Sequence, residues 1–160
     1  EAKVQVSRDV AIDMVAGPSE VMILADDTAV ASFISADMLS QAEHGPDSQS
    51  ILLTTSPSVA KQVSQLLEEQ MSGLSRGDII NRSIKNSRII VLSSVDEMIQ
   101  YSNSYAPEHL ILAIEEAERY CNKILNAGSV FLGNYSPETV GDYCSGTNEE
   151  ESVEGHKGFL

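Results

Sequence analysis

Residues 21–25, Val-Met-Ile-Leu-Ala, form an unbroken apolar run bounded by Ser19-Glu20 and Asp26-Asp27. Five apolar residues without alternation suit a strand buried on both faces, as in a parallel sheet covered by helices, and not a strand with one wet side. Outward from this run, Val30, Phe33, Ile34, Met38 and Leu39 recur at helical spacing, with Thr28 as the expected cap, and the pattern stops at Gly45-Pro46. Residues 50–54 (SILLT), 88–92 (RIIVL), 109–113 (HLILA) and 128–132 (GSVFL) repeat the buried-strand signature. Between them, helices are expected over 58–71, capped near Ser56 or Ser58 and closed by Gly73, over 78–85, over 94–102 with an acidic first turn, and over 115–125. Short apolar strands alternating with helices define the fold class as α/β: a mostly parallel, doubly wound sheet with helices on both faces.

Size and charge narrow the function classes. A chain of 160 residues is one domain by length and buries roughly two-thirds of its unfolded surface. The apolar runs are too short to span a bilayer, and the opening EAKVQVSRDV carries no signal-peptide pattern, so no membrane role and a cytoplasmic location are expected. A formal net charge of −14, with ten Lys and Arg in all, argues against a nucleic-acid partner. Cys121 and Cys144 form no C-x-x-C pair, which suits a reducing interior; Cys121 reads as packing, and Cys144 has no clear base to make it a catalytic thiol.

Polar residues gather where apolar runs end. In residues 39–49 (LSQAEHGPDSQ), Gln41 and His44 are three apart on a helix, so an amide oxygen and an imidazole nitrogen share one face; they form either a ligand-binding pair or a plain C-terminal turn. Glu108 and His109 sit side by side before the fourth strand, two usable general bases that strand alternation would send to opposite faces unless the Pro107 turn is irregular. Asp142, within Gly141-Asp142-Tyr143, reads as a metal ligand or an Asx turn, and Ser19 as a ligand contact or a turn cap. Ligand-lining loops are expected at the carboxyl ends of the strands. No dinucleotide fingerprint or P-loop spacing occurs.

Taken together, AGPSE at 16–20, LSQAEHGPDSQ at 39–49, YAPEHL at 105–110, AGSVFLG at 127–133 and SPETVGDYCSGTN at 136–148 resemble histidinol dehydrogenase, in order and with close spacing. The resemblance implies an incomplete Rossmann-like sheet and NAD-linked, zinc-dependent oxidation of L-histidinol through histidinal to L-histidine. It makes Gln41, His44 and Asp142 zinc ligands and Ser19 a substrate contact, and it gives Glu108 and His109 the acid–base roles. His109 would take the alcohol proton and Glu108 would activate water for the second oxidation; His109 and the zinc ligands also contact substrate.

After Asn148 the family pattern is interrupted. The chain passes to Glu149-Glu150-Glu151-Ser152-Val153-Glu154-Gly155-His156, which resembles a piece nearer the family's C-terminus and matches Glu151 to a substrate contact and His156 to the fourth zinc ligand. The resemblance therefore divides the chain into residues 1–148, a zinc- and substrate-site domain, and a short tail, 149–160. In the family that histidine reaches the other subunit's site, which implies a homodimer with a shared active site. Most of the family's nicotinamide-binding half has no counterpart, and no NAD-binding residue is assigned. The alternative reading is a non-catalytic α/β module that binds zinc or a small molecule and has lost the cofactor-binding half.

Overall fold

The computed structural model describes residues 19–71, 80 and 82–136, with the backbone of residues 158–159. The run at the centre of the sequence becomes β1 (Glu20–Ala25). It leads into helix α1 (Ala31–His44), β2 (Gln49–Thr54) and helix α2 (Pro57–Met71). β3 (Arg88–Val91), helix α3 (Val95–Tyr105), β4 (His109–Ala113), a 3-10 helix (Ala117–Lys123) and β5 (Ser129–Leu132) follow. A two-residue strand, β6 (Gly158–Phe159), adds to the edge and was not anticipated in the 149–160 tail.

All strand pairs are parallel, in the order β3-β2-β1-β4-β5-β6, so the chain winds outward from β1 in one direction and then in the other. Side-chain alternation explains the unbroken apolar runs. Val21, Ile23 and Ala25 pack with Ile34, Met38, Val63 and Leu67 of α1 and α2, whereas Met22 and Leu24 pack on the opposite face with Met98 and Ile99 of α3 and with Ile124. Both faces of β1 are therefore dry, as its sequence requires. Among the described residues no helix is long and apolar enough to cross a membrane.

Several local expectations are corrected. Thr28 does not cap α1: its hydroxyl and backbone N–H both donate to Asp26 Oδ1 (2.6 and 2.9 Å), and the helix begins after Val30, whose N–H donates to Asn134 Oδ1 at 3.2 Å. The segment expected as a helix over 115–125 is a seven-residue 3-10 helix instead. Glu116 enters it in the left-handed region (φ 51°), and Asn103 binds its far end, donating to Lys123 O at 2.8 Å and accepting from Leu125 N at 2.7 Å. The Gly73 stop and residues 78, 79 and 81 lie outside the described residues; of the helix expected over 78–85, residues 80, 82 and 83 are helical, and a single 3-10 turn, Ile84–Asn86, follows directly. By contrast, α2 starts at Ser56, whose Oγ accepts from Val59 N, and α3 at Ser94, whose Oγ accepts from Glu97 N at 3.2 Å.

Candidate active site at the amino rim of the sheet

α1 runs back against the strands, so its last turn arrives beside the amino ends of β1 and β2. There Gln41 is fully buried and His44 exposed, and His44 Nδ1 lies 3.1 Å from Gln41 Oε1. An amide oxygen only accepts, so Nδ1–H donates and the exposed Nε2 carries the lone pair of the neutral ring. Gly45-Pro46-Asp47 then turns the chain into β2; Ser48 N donates to Gly45 O at 3.1 Å and Gln49 N to Ser19 O at 3.2 Å, which places Ser19 at the same rim.

The second pair enters from α3. Ala106 ends that helix in the left-handed region (φ 60°), with its N–H on Ser102 O at 2.8 Å, and Pro107 prevents continuation. Glu108 lies in the bend before β4, and His109, only 1% exposed, is the strand's first residue. His109 shares the register row of Val21, on the α1 side of the sheet, with its ring 6.2 Å from the Phe131 ring. Strand alternation would separate Glu108 from His109, but Glu108 Oε2 bends to within 3.9 Å of His109 Nδ1. The irregular approach after Pro107 thus brings both bases to one edge.

Glu20 links them. Its N–H donates to Glu108 Oε2 at 3.3 Å, and its carbonyl lies 3.2 Å from His109 Nδ1. A carbonyl only accepts, so Nδ1 of His109 holds a proton and Nε2 has the basic lone pair when the ring is neutral. The Glu20 carboxylate accepts from the Tyr105 hydroxyl at 2.8 Å, and the same hydroxyl meets Gln49 Oε1. Burial first, then the Glu20 carboxylate, hold the Tyr105 phenol above its ordinary range, so it stays a donor. Beside this cluster Ser19, Glu20, Asp47, Gln49, Asn86 and Arg88 line a cavity of about 390 Å³.

Ser19, Gln41, His44, Glu108 and His109 therefore all stand at the amino ends of strands, whereas ligand-lining loops were expected at the carboxyl ends. The reason is topological: two belong to the end of a helix that returns from the carboxyl side, two to segments that lead into strands, and His109 opens β4 itself. Asp142, Glu151 and His156 lie outside the described residues. Glu20, Tyr105 and Gln49 were not singled out; the one local signal was that polar residues open otherwise buried strands or close a helix next to the bases. Cys121 is half-buried, and burial raises its thiol pKa, consistent with packing.

Zinc fits what is present. Gln41 and His44 offer an amide oxygen and an imidazole nitrogen from one helix face, a donor set that zinc accepts. Among the described residues no cluster of three His, Cys, Asp or Glu forms a metal site. A dinucleotide does not fit the carboxyl-end crevice beside β1. There the turn is Asp26-Asp27-Thr28 in place of glycines, and Asp26 Oδ2 closes across to Glu115 N at 2.7 Å.

The parallel order, the change of winding direction at β1 and the two helical layers define a Rossmann-like α/β domain, here with paired polar groups at its amino rim. A family model described as histidinol dehydrogenase matches residues 1–150. The chain is 52% identical over 159 residues to the histidinol dehydrogenase of Blochmanniella floridana, covering 98% of this chain and 36% of that protein. It is 54% identical over 151 residues to that of Yersinia pestis, covering 92% and 34%. The crystal structure of histidinol dehydrogenase from Elizabethkingia anophelis superposes with a TM-score of 0.87 at 51% identity, covering 98% of this chain and 38% of that one. The chain belongs to the histidinol dehydrogenase family. It spans about a third of the length of the curated relatives it matches.

Proposed function

We propose that this chain supplies the zinc-binding, substrate-binding and proton-transfer part of an NAD-linked histidinol dehydrogenase, which oxidises L-histidinol through histidinal to L-histidine at the end of histidine biosynthesis. The observation that carries the reading is the Glu108–His109 pair held on the backbone of Glu20 at the same rim as Gln41 and His44.

Two successive oxidations release protons at different atoms, so two bases of different character suit them. His109, buried and fixed with its proton on Nδ1, takes the alcohol proton at Nε2 as the carbinol carbon loses hydride to the acceptor. Glu108, whose side chain is 36% exposed, reaches water; it takes a proton from the water that adds to the aldehyde, giving the hydrate for the second oxidation. Ser19 hydrogen-bonds the substrate. Gln41, His44, Asp142 and His156 would hold zinc, with His156 reaching the site of a second subunit; when bound, the ion supplies a Lewis acid that orients the substrate's nitrogen atoms. Glu151 is assigned a substrate contact. No NAD-binding residue is assigned for the hydride acceptor, and the Asp26-Asp27-Thr28 turn after β1, closed by Asp26 onto Glu115 N, offers no glycine-rich cradle for its phosphates.

The acidic turn after β1 also favours the second reading, a zinc- and small-molecule-binding module without turnover. The test is NADH formation from L-histidinol by the zinc-loaded chain, with the Yersinia pestis enzyme as a positive control. About two NADH per L-histidinol, lost in His109→Asn, supports the enzyme. Zinc binding with no NADH supports the module, and neither zinc binding nor turnover rejects both.

A further inference from the structure

We propose that Glu20 and Tyr105 are positioning residues that fix the tautomer and reach of the Glu108–His109 pair, an inference that rests on the proposed roles of those two bases. The β1–β4 ladder begins at Val21 and His109, so Glu20 lies one residue outside it. Its N–H and carbonyl instead take the Glu108 carboxylate and the His109 ring. On the other side Glu20 is registered with Gln49 of β2, and its carboxylate is bound in addition to the hydroxyl of Tyr105. Tyr105 and Glu108 flank the two-residue link Ala106-Pro107, so the segment that delivers both bases is tied at each end to one residue of β1.

This arrangement couples the phenol to the imidazole through the β1 backbone. Loss of the hydroxyl frees the Glu20 carboxylate, loosens the carbonyl that accepts from His109 Nδ1–H, and lets the proton move to Nε2, where the ring no longer acts as a base. A group that acts only through another should change turnover more than substrate binding. The bond is half-buried and joins a neutral donor to a carboxylate, the kind of hydrogen bond strong enough to fix a backbone.

Tyr105→Phe removes the hydroxyl alone. In this variant and in Glu20→Ala, nitrogen chemical shifts of His109 should change from a single Nδ1–H tautomer to a mixture. Turnover of L-histidinol should fall roughly tenfold or more with KM within about twofold, and the double variant should lose no more than either single one. Glu20→Gln still accepts from Tyr105 and should stay within about threefold of the parent. An unchanged His109 tautomer in both Tyr105→Phe and Glu20→Ala overturns the proposal, as do additive losses in the double variant. The ring signals are read without substrate or cofactor, so absent turnover in the parent counts against the proposed activity and leaves the tautomer result decisive here.

Discussion

Gln41 Oε1 accepts from His44 Nδ1 at 3.1 Å, while Gln41 Nε2, fully buried, has no hydrogen-bond partner among the described residues. An orphaned buried N–H costs about 1–3 kcal/mol, so this amide is held at the rim against the interest of the fold. Gln41→Met, close in size and free of the orphan, should raise stability by about 1 kcal/mol in urea titrations without metal, and weaken zinc binding. His44→Ala, which removes the exposed imidazole, should weaken zinc roughly tenfold or more by calorimetry, with little change in stability. Unchanged zinc affinity in both variants would remove these residues from the metal site.

Asp37 lies one helical turn before Gln41, half-buried, and burial raises its carboxyl from 3.8 to about 7. The unfolded chain ionises this group above about pH 4, but the folded chain resists until about pH 7. Asp37 therefore adds no penalty below pH 4, and a growing one from pH 4 to 7 that is constant above. The cost is on the order of 3 kcal/mol after allowance for partial solvent access. Urea midpoints of the parent should fall between pH 4.5 and 7.5 relative to Asp37→Asn, which cannot ionise. Parallel pH curves for the two proteins would rule out this titration.

The strands were legible because β1, β2 and β4 are covered on both faces, which leaves runs such as HLILA with no polar interruption; β4 spans the residues expected of it. Helix starts at Ser56 and Ser94 were legible because a hydroxyl cap acts on its own next turn. The 3-10 helix was not, because what shortens it is Asn103, some twenty residues earlier in sequence and set by packing. In the site, the Gln41–His44 pair follows from i, i+3 spacing alone. The approach of Glu108 to His109 does not, since it depends on a bend outside the ladder, and the Glu20–Tyr105 link joins residues 85 apart. The general preference for ligand loops at carboxyl ends does not locate these candidates, because a returning helix end and the beginnings of strands furnish their side chains.

Core variants separate fold from chemistry. Leu112 is fully buried on the α3 side of β4 and Phe131 on the α1 side of β5, in the layer of His109. Leu112→Ala should cost about 3 kcal/mol through lost transfer energy and a cavity, while leaving zinc affinity of the folded protein unchanged. Phe131→Ala should cost about 4 kcal/mol and also disturb the His109 ring signals, since the two rings are 6.2 Å apart. Equal effects of the two variants on His109 would mean that the ring responds to overall stability and not to its neighbour.

Ala106 holds φ 60° and ψ 62°, a conformation that costs a residue with a Cβ about 1 kcal/mol and glycine very little. Ala106→Gly should therefore raise stability by about 1 kcal/mol, read as a higher urea midpoint with an unchanged slope, whereas Ala106→Val should lower it by at least about as much. The substitution leaves Tyr105 and Glu108 both bound to Glu20, so the His109 tautomer should not change. A tautomer mixture in Ala106→Gly would show that the stiffness of the link, and not its two attachments to Glu20, aims the imidazole.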